Sequence, residues 1–484
     1  MKKIFLFYII LFTLISFFVN AQRKCGLPDY IEYKINEEPE LATRIEQNKI
    51  KLKEKAENIL EERKSGKNER TSSITAIPVI FHIVIDTLKY NQLGGDAGIK
   101  QRCDSQIAVL NRDFNAQNAD SIAIPFGWKS LFASSGIHFG LAHTDLNGNS
   151  TPGYEVRIIS SIGFNGWTNH YSDAKHSTLG TGATSLSPGL DAWDVTKYLN
   201  VWCINFLDGM GLGGITLSKF FTVSGGWGWT NPDNEEGIVL KWNVFGKRVL
   251  STDNYTPTGT GTFFDEGRTM THECGHFFEL SHVWGDDGTL CPWSSGGRDD
   301  GIDDTPPQST HTSGNPSYTI TSGTINDACQ YYGTVDTQHY GIACLDFMDY
   351  TDDTGMHLFT PQQAAAMVSC VTTVAGVDGE NITLVQHPNL LGWPSGVSKI
   401  EVDRELKIFP NPSNGLINIV YNTNADKLNK ISIIDVLGNE IYENSNVFKN
   451  FNTIYLSNFT TEIYFIKCEF EKGIVVSRLI LNNK

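Results

Sequence analysis

The segment Thr271-His272-Glu273-Cys274-Gly275-His276-Phe277-Phe278-Glu279-Leu280-Ser281-His282 constrains the chain more than any other. On an α-helix, positions four apart lie about 40° apart around the axis, so His272 and His276 share one face. Two imidazoles so placed can hold one Zn²⁺, and Glu273 beside the first can serve a metal-bound water as general base. A third protein ligand is then required, with the fourth position left to water. His282 comes ten residues after His272, ~15 Å away along a straight helix. The chain must therefore turn sharply between His276 and His282 for the three rings to meet. Glu279 also falls on the histidine face, but three ligands along a straight helix converge poorly, so His282 is the better third ligand.

Composition narrows the class. The 484 residues carry 38 Lys+Arg against 54 Asp+Glu, a net charge of −16, and a pI near 5.2 argues against a nucleic-acid binder. With 40% hydrophobic and 11% aromatic residues the chain can bury a core, which excludes wholesale disorder. The length is a prior for about three domains.

Lys2-Lys3, the apolar run Ile4–Val19 and the closing Asn20-Ala21 read as a secretory signal over residues 1–21. No later apolar run is long enough to span a membrane, so no transmembrane segment is expected after its removal. Residues 37–70, dense in Glu, Lys and Arg, read as an exposed amphipathic helix ending in a basic joint that suits a processing protease. The β-branched run Ile77–Ile85 reads as a buried strand, with His82 a core histidine, and Ile107, Leu110 and Phe114 fall at helical spacing. Residues 379–404 read as a linker, and the short alternating segments beyond them as a small β-sandwich.

Nine cysteines in an exported chain leave at least one unpaired. Cys291, Cys329, Cys344 and Cys370 are the candidate bridge formers. The string Gly209–Gly214 matches GxGxxG, but Ile215-Thr216-Leu217 after it looks like strand or loop rather than the helix a dinucleotide site needs.

The zinc motif continuing to Trp284-Gly285-Asp286, the string Asp303-Asp304-Thr305-Pro306, the segment Phe347–Asp353 and the upstream Val109–Phe114 together resemble the pappalysin/cytophagalysin family of metzincin zinc proteases, over roughly residues 75–378. The resemblance implies an α/β metzincin catalytic domain, a twisted mixed sheet plus an active-site helix. It implies His272, His276 and His282 as zinc ligands, Glu273 as catalytic base, Met348 as the floor beneath the metal and Tyr350 as a phenol near it. Cys25, in Arg23-Lys24-Cys25-Gly26-Leu27-Pro28, resembles the family's amino-terminal pro-segment cysteine, whose thiolate would occupy the water position until the pro-segment (22–74) leaves. A disulfide from Cys25 to Cys103 or Cys203 is the other reading.

Metzincins place glycine where this chain has Glu279, and a left-handed backbone there would cost about 1–2 kcal/mol. Six aspartates lie between Asp286 and Asp304, and the resemblance favours Ca²⁺ held by Asp286, Asp299, Asp303, Asp304 and Thr305, against a solvated acidic loop. Phe409-Pro410-Asn411-Pro412, Asp435–Gly438 and Ser477–Leu481 resemble a type IX secretion sorting domain over 405–484, implying secretion machinery as a partner. The expectation is thus a secreted zinc endopeptidase made as a zymogen and acting on proteins or peptides. The rival is an inactive binding protein on the same scaffold.

Overall fold

The computed structural model describes residues 24–65, 75–165, 171–179, 183, 185–207, 212–217, 236–248, 253, 264–286, 290–291, 294, 297, 299–314, 329, 343–374 and 377–391. In the C-terminal part it describes 406–413, 415–421, 428–435, 440–445, 447, 451–456, 459–460, 463–470 and 473–482. The signal segment 1–21, the basic joint, Asp287 and the Leu437-Gly438-Asn439 turn lie outside these residues. Among the described residues no helix is long and apolar enough to cross a membrane.

The chain divides into two compact units, Met1–Trp393 and Pro394–Lys484. The first is built on a seven-stranded sheet. Its centre is β2 (Thr75–Asp86), the strand expected from the β-branched run. At twelve residues it is long enough to pair with two strands on one side, β3 (Ile137–Leu141) along Thr75–Val79 and β4 (Tyr154–Ile159) along Phe81–Asp86. On its other side runs β5 (Leu199–Ile204), then β7 (Gly237–Lys241), then β6 (Leu212–Leu217). All these pairs are parallel except β6 with β7. Every residue of β5 and β6 is buried, as strands covered on both faces must be. His82 is fully buried between Glu155 (Nδ1···Oε1 2.6 Å) and Asn200 (Nε2···Oδ1 2.9 Å), a core histidine as expected.

Helix α4 (Gly95–Phe114) packs on β3, and α5 (Arg268–Phe277) packs on β6 and β7 and against α4. Phe114, ending α4, joins these layers, its ring centroid 5.0 Å from both Phe139 and Phe359 and 6.1 Å from Phe278. Between α4 and α5 sits a buried ion network. Arg268 spans Asp120 (Nη1–Oδ2 2.6 Å, Nη2–Oδ1 2.9 Å) and the Asp353 carbonyl at 2.6 Å, while Thr271 donates to Asp113 at 2.9 Å. Removing one partner of such a network strands a buried charge, so it fixes the entry of α5.

The amino-terminal segment differs from its expectation. The helix expected within 37–70 is there as α2 (Glu40–Lys64), but it is docked rather than exposed; α1 (Leu27–Glu37) precedes it and α3 (Thr87–Gln92) follows β2. Leu52, Ala56 and Ile59 form a buried stripe on α2, which packs on α6 (Pro361–Val371). Ahead of α1, β1 (Lys24–Cys25) adds to the sheet parallel to β6. At the other end, residues read as linker form 3₁₀ turns, Ile382–Gln386 and Pro388–Leu391, packed on β2. Two short strands, β8 (Thr373–Val374) and β9 (Val377–Asp378), precede them.

Of the candidate bridge formers, Cys291 and Cys329 are joined. Cys344 and Cys370 are not part of that bridge: Cys370 lies in α6 with its thiol 3.4 Å from the Phe278 carbonyl, and Cys344 is buried ahead of Met348. Cys25, Cys103 and Cys203 form no disulfide either.

The second unit is a β-sandwich. One sheet pairs β10 (Leu406–Phe409), β11 (Leu416–Tyr421) and β14 (Phe451–Tyr455); the other orders β13 (Glu440–Asn444), β12 (Leu428–Ile434), β15 (Ile463–Phe470) and β16 (Gly473–Ile480). All pairs are antiparallel, and Ile417, Ile419 and Ile454 of the first sheet share a core with Ile431, Ile433, Ile466 and Leu479 of the second.

Phe114→Ala removes the ring that ties α4 to β3 and to the segment before α6. It is expected to lower the unfolding free energy by about 3–5 kcal/mol in denaturant titration.

Candidate metal centre

Three backbone features bring the histidines together. Helix α5 runs only to Phe277, so His272 and His276 sit one turn apart on its inner face. The chain then reverses: Glu279 takes φ +70°, and Leu280 N–H donates back to the Gly275 carbonyl at 3.0 Å. A left-handed residue closing a helix in this way is the common helix stop, usually glycine. Here glutamate takes the conformation, and His282 still arrives opposite the other two rings.

The three Nε2 atoms converge, with His282 3.0 Å from His276 and 3.2 Å from His272. Each Nδ1 faces an acceptor: the Phe347 carbonyl for His272 (2.7 Å), the Leu280 carbonyl for His276 (2.7 Å) and the Asp286 carboxylate for His282 (2.5 Å). Carbonyl and carboxylate oxygens only accept, so Nδ1 carries the hydrogen on each ring and Nε2 is a lone pair. Burial, with His282 beside it, lowers the His276 value to about 3, so that ring remains neutral at ordinary pH. Buried lone pairs converging in this way, two of them about 3 Å from that of His282, repel, and a cation between them removes that cost. The donor set therefore fits a metal ion.

Cys25 completes the group. Its Sγ and the three histidines are the one cluster among the described residues whose donors all lie within 4.8 Å of one another. The thiol lies 3.6 Å from Glu273 Oε2. Burial, then the charge of Glu273, pushes the thiol well above its ordinary value.

Glu273 is placed by the edge strand. Thr216 Oγ1 on β6 lies 2.7 Å from Oε2 of Glu273 and 2.9 Å from its carbonyl oxygen. A Cβ on Gly214 would come within 2.8 Å of Glu273 Cγ and Oε1, and one on Gly213 within 3.1 Å of Thr269. The last two glycines of the GxGxxG string thus allow close approach of β6 to α5, and Ile215-Thr216-Leu217 after them is strand, as expected. Below the helix, a Cβ on Gly275 would meet Met348 Sδ at 2.3 Å, so the missing side chain lets Met348 close against the helix. Asp346 caps that turn, accepting from Met348 N at 2.8 Å and from Gln363 at 3.0 Å. Asp349 accepts from Thr312 N and Tyr350 N, each at 2.7 Å.

Tyr350 stands beside the cluster, its ring 5.0 Å from His282 and 5.8 Å from His272. Its hydroxyl accepts from Cys25 N–H at 3.1 Å. Burial, then Cys25 and Asp286, raises the phenol well above its ordinary value and keeps it protonated. Trp284 stacks on His282 at 4.3 Å and also touches Tyr350.

The acidic residues expected to hold calcium make other contacts among the described residues. Asp286 is spent on His282: burial opposes its charge, but His282 holds it below the ordinary carboxylate range. Asp303 pairs with Lys53 at 2.5 Å, Thr305 donates to Asp300 at 2.8 Å, and Asp304 accepts from Gln362 N at 2.9 Å. With Asp299 they form no metal-holding group among the described residues. What sequence reading missed was Asp286 as the orienting partner, and Thr216. The signal for the first was a carboxylate four residues after a ligand histidine.

Known proteins are similar to this chain in sequence and fold. Residues 189–372 match the family model described as Pregnancy-associated plasma protein-A. The structure of Tannerella forsythia mature mirolysin with a cleaved peptide is 32% identical, aligning 65% of this chain with 97% of that one at TM-score 0.50. The chain belongs to the pappalysin family of metalloproteases. A Tannerella forsythia promirolysin mutant matches over 76% of this chain and 99% of its own, with 29% identity and TM-score 0.55. An extracellular metalloprotease of Arthroderma gypseum is 27% identical over 72% of this chain and 84% of its own length. One of Arthroderma benhamiae is 38% identical over 25% of this chain, a match spanning only 37% of that relative. Residues 407–482, which span the β-sandwich, match the family model described as Secretion system C-terminal sorting domain.

Two measurements test the site. Asp286→Ala is expected to weaken metal retention about 10–100-fold in a chelator competition, and His282→Ala to weaken it further. Burial raises Asp346 from 3.8 to about 8, so the folded chain holds a proton there that the unfolded chain releases. Its contribution to stability therefore declines as pH rises from about 4 to about 8. In Asp346→Asn that part of the decline disappears, read as a smaller difference between melts at pH 5 and pH 8.

Proposed function

We propose that the chain is an exported zinc endopeptidase held inactive by its own amino-terminal segment. The observation that carries this is the convergence of three Nε2 lone pairs beside the Glu273 carboxylate, with the Cys25 thiol among them as a further donor that would hold the metal. Three imidazoles with a thiol form a nitrogen–sulfur donor set that suits Zn²⁺ and suits Ca²⁺ or Mg²⁺ poorly. Bound there, Zn²⁺ supplies a Lewis acid that polarises a carbonyl and acidifies water.

The protein's own groups do the rest. Glu273, oriented by Thr216, takes a proton from the attacking water and returns it to the leaving nitrogen as the peptide bond breaks. Tyr350, kept neutral, donates its hydroxyl hydrogen to the oxygen that gains charge. Met348 fixes the height of the helix beneath. The β6 edge, occupied here by Lys24–Cys25 with Gly26 N–H on the Gly214 carbonyl at 2.9 Å, is where an extended substrate would add as a strand.

Latency follows from the same contacts. Cys25 occupies the position a water needs, its backbone holds the Tyr350 hydroxyl, and its thiol faces the base. Three changes are therefore needed at once, and departure of one strand supplies all of them.

The protein cleaved between residues 66 and 74 and freed of its pro-segment is expected to digest unfolded protein substrates, and to lose this with a chelator. The uncut chain should be nearly inactive, and Cys25→Ala should raise its activity without cleavage. Glu273→Ala should lower turnover about 10²–10⁴-fold with metal content unchanged. Full activity of that variant would end the proposal.

A further inference from the structure

The contact of α2 with the body contains more than latency requires. The strand Lys24–Cys25 covers the cluster, and α2 adds 25 further residues whose contacts begin beside it, at Glu279, and extend past it to Asp303 and Glu380. Its buried stripe, Leu52, Ala56 and Ile59, is flanked on both sides by polar contacts to the body, three to carboxylates and one to a backbone carbonyl. On one flank Lys53 meets Asp303 Oδ1 at 2.5 Å, and Lys49 meets the Asp299 carbonyl at 2.8 Å. On the other flank Asn48 donates to Glu279 Oε2 at 2.6 Å and Lys55 to Glu380 at 3.2 Å. At 100° per residue these are the positions that border an apolar face spaced i, i+4, i+7.

Two features make this face a receiver of helices rather than a lock for one sequence. The fit is loose, because a groove of about 430 Å³ lies between Lys49 and Lys53 of the helix and Asp299, Gly301 and Asp303 of the loop. Glu279 Oε1 is buried with no hydrogen-bond partner among the described residues, so the face holds an acceptor that α2 leaves unused. The ion pairs are also at least partly exposed, Lys53 and Asp303 at 36% and 61%, which makes such docking reversible and salt-sensitive.

We propose that, once the pro-segment has left, this face of α6 with Glu279, Asp299, Asp303 and Glu380 is a secondary docking site for protein substrates that present a lysine-bearing amphipathic helix. This rests on the reading of the mature chain as a protease. Docking there holds the substrate while an extended stretch elsewhere in it reaches β6, and raises the effective concentration of the scissile bond.

The experiment uses the full chain, cut in the 66–74 joint and separated from its pro-segment. A quenched extended peptide is compared with the same peptide joined through a Gly/Ser linker to a helix of sequence 40–64. Joining is expected to lower KM about tenfold with kcat unchanged, and high salt to abolish the gain. Lys55→Glu in the joined helix should remove most of the gain, and Glu380→Lys in the enzyme should restore it, with cleavage of the free peptide unaltered. Equal KM for free and joined peptides, or no recovery by the charge swap, overturns the proposal. If the free peptide is not cleaved at all, the protease reading fails instead. Anisotropy of a labelled 40–64 helix then reads the surface alone: binding that follows the swap sustains the docking face, and absence of binding overturns it.

Discussion

Everything near the centre depends on three imidazoles presenting lone pairs to one point. Each ring is turned by the hydrogen on its far nitrogen, and the acceptors come from three different places: the Met348 turn through Phe347, the helix stop through Leu280, and Asp286. An arrangement that strains without a cation must be held by the surrounding fold, and here the supports are independent. The Arg268 network fixes the start of α5, Met348 under Gly275 fixes its height, and β6 fixes Glu273. A fault in one support would tilt a ring without dissolving the site.

The sheet edge links the site to its control. β6 runs antiparallel to β7 and leaves its outer side to β1, so the strand that blocks the cluster is also the last strand of the sheet. Inhibition and substrate binding thus compete for one row of backbone groups. β1 has only two residues, and α2, buried through Leu52, Ala56 and Ile59, gives the same segment a second and larger contact with the body.

The parts legible in the sequence were those with local signatures. The i, i+4 histidines, the need for a turn before His282, the β2 run and the alternating tail strands all come from periodicity or spacing. The parts that were not legible depend on distant groups meeting. Backbone carbonyls that orient the rings leave no trace in residue type. Thr216 reaches Glu273 only because β6 lies against α5, a separation of 57 residues. The charge-rich 37–70 segment looked exposed because its buried stripe is narrow, with Ile50 on the solvent side. Asp286 was read only as a possible calcium ligand in an aspartate-rich loop; its contact with the His282 ring, four residues before it, went unread.

Glu279 shows how a departure from a family pattern can fall on a different property from the one expected. Its φ of +70° means the backbone bears a left-handed cost of about 1–2 kcal/mol that glycine would avoid. The turn is nevertheless made, and His282 reaches its place within 3.2 Å of both other rings. The carboxylate points away from the cluster, towards α2. There burial and Glu380 raise it to about 7, against the pull of Asn48 and Lys55. The strain is therefore carried at the seam between the pro-segment and the body rather than at the ligands. A glycine there would relieve the backbone and delete an acceptor for Asn48, altering how the pro-segment sits while leaving the ligand geometry intact.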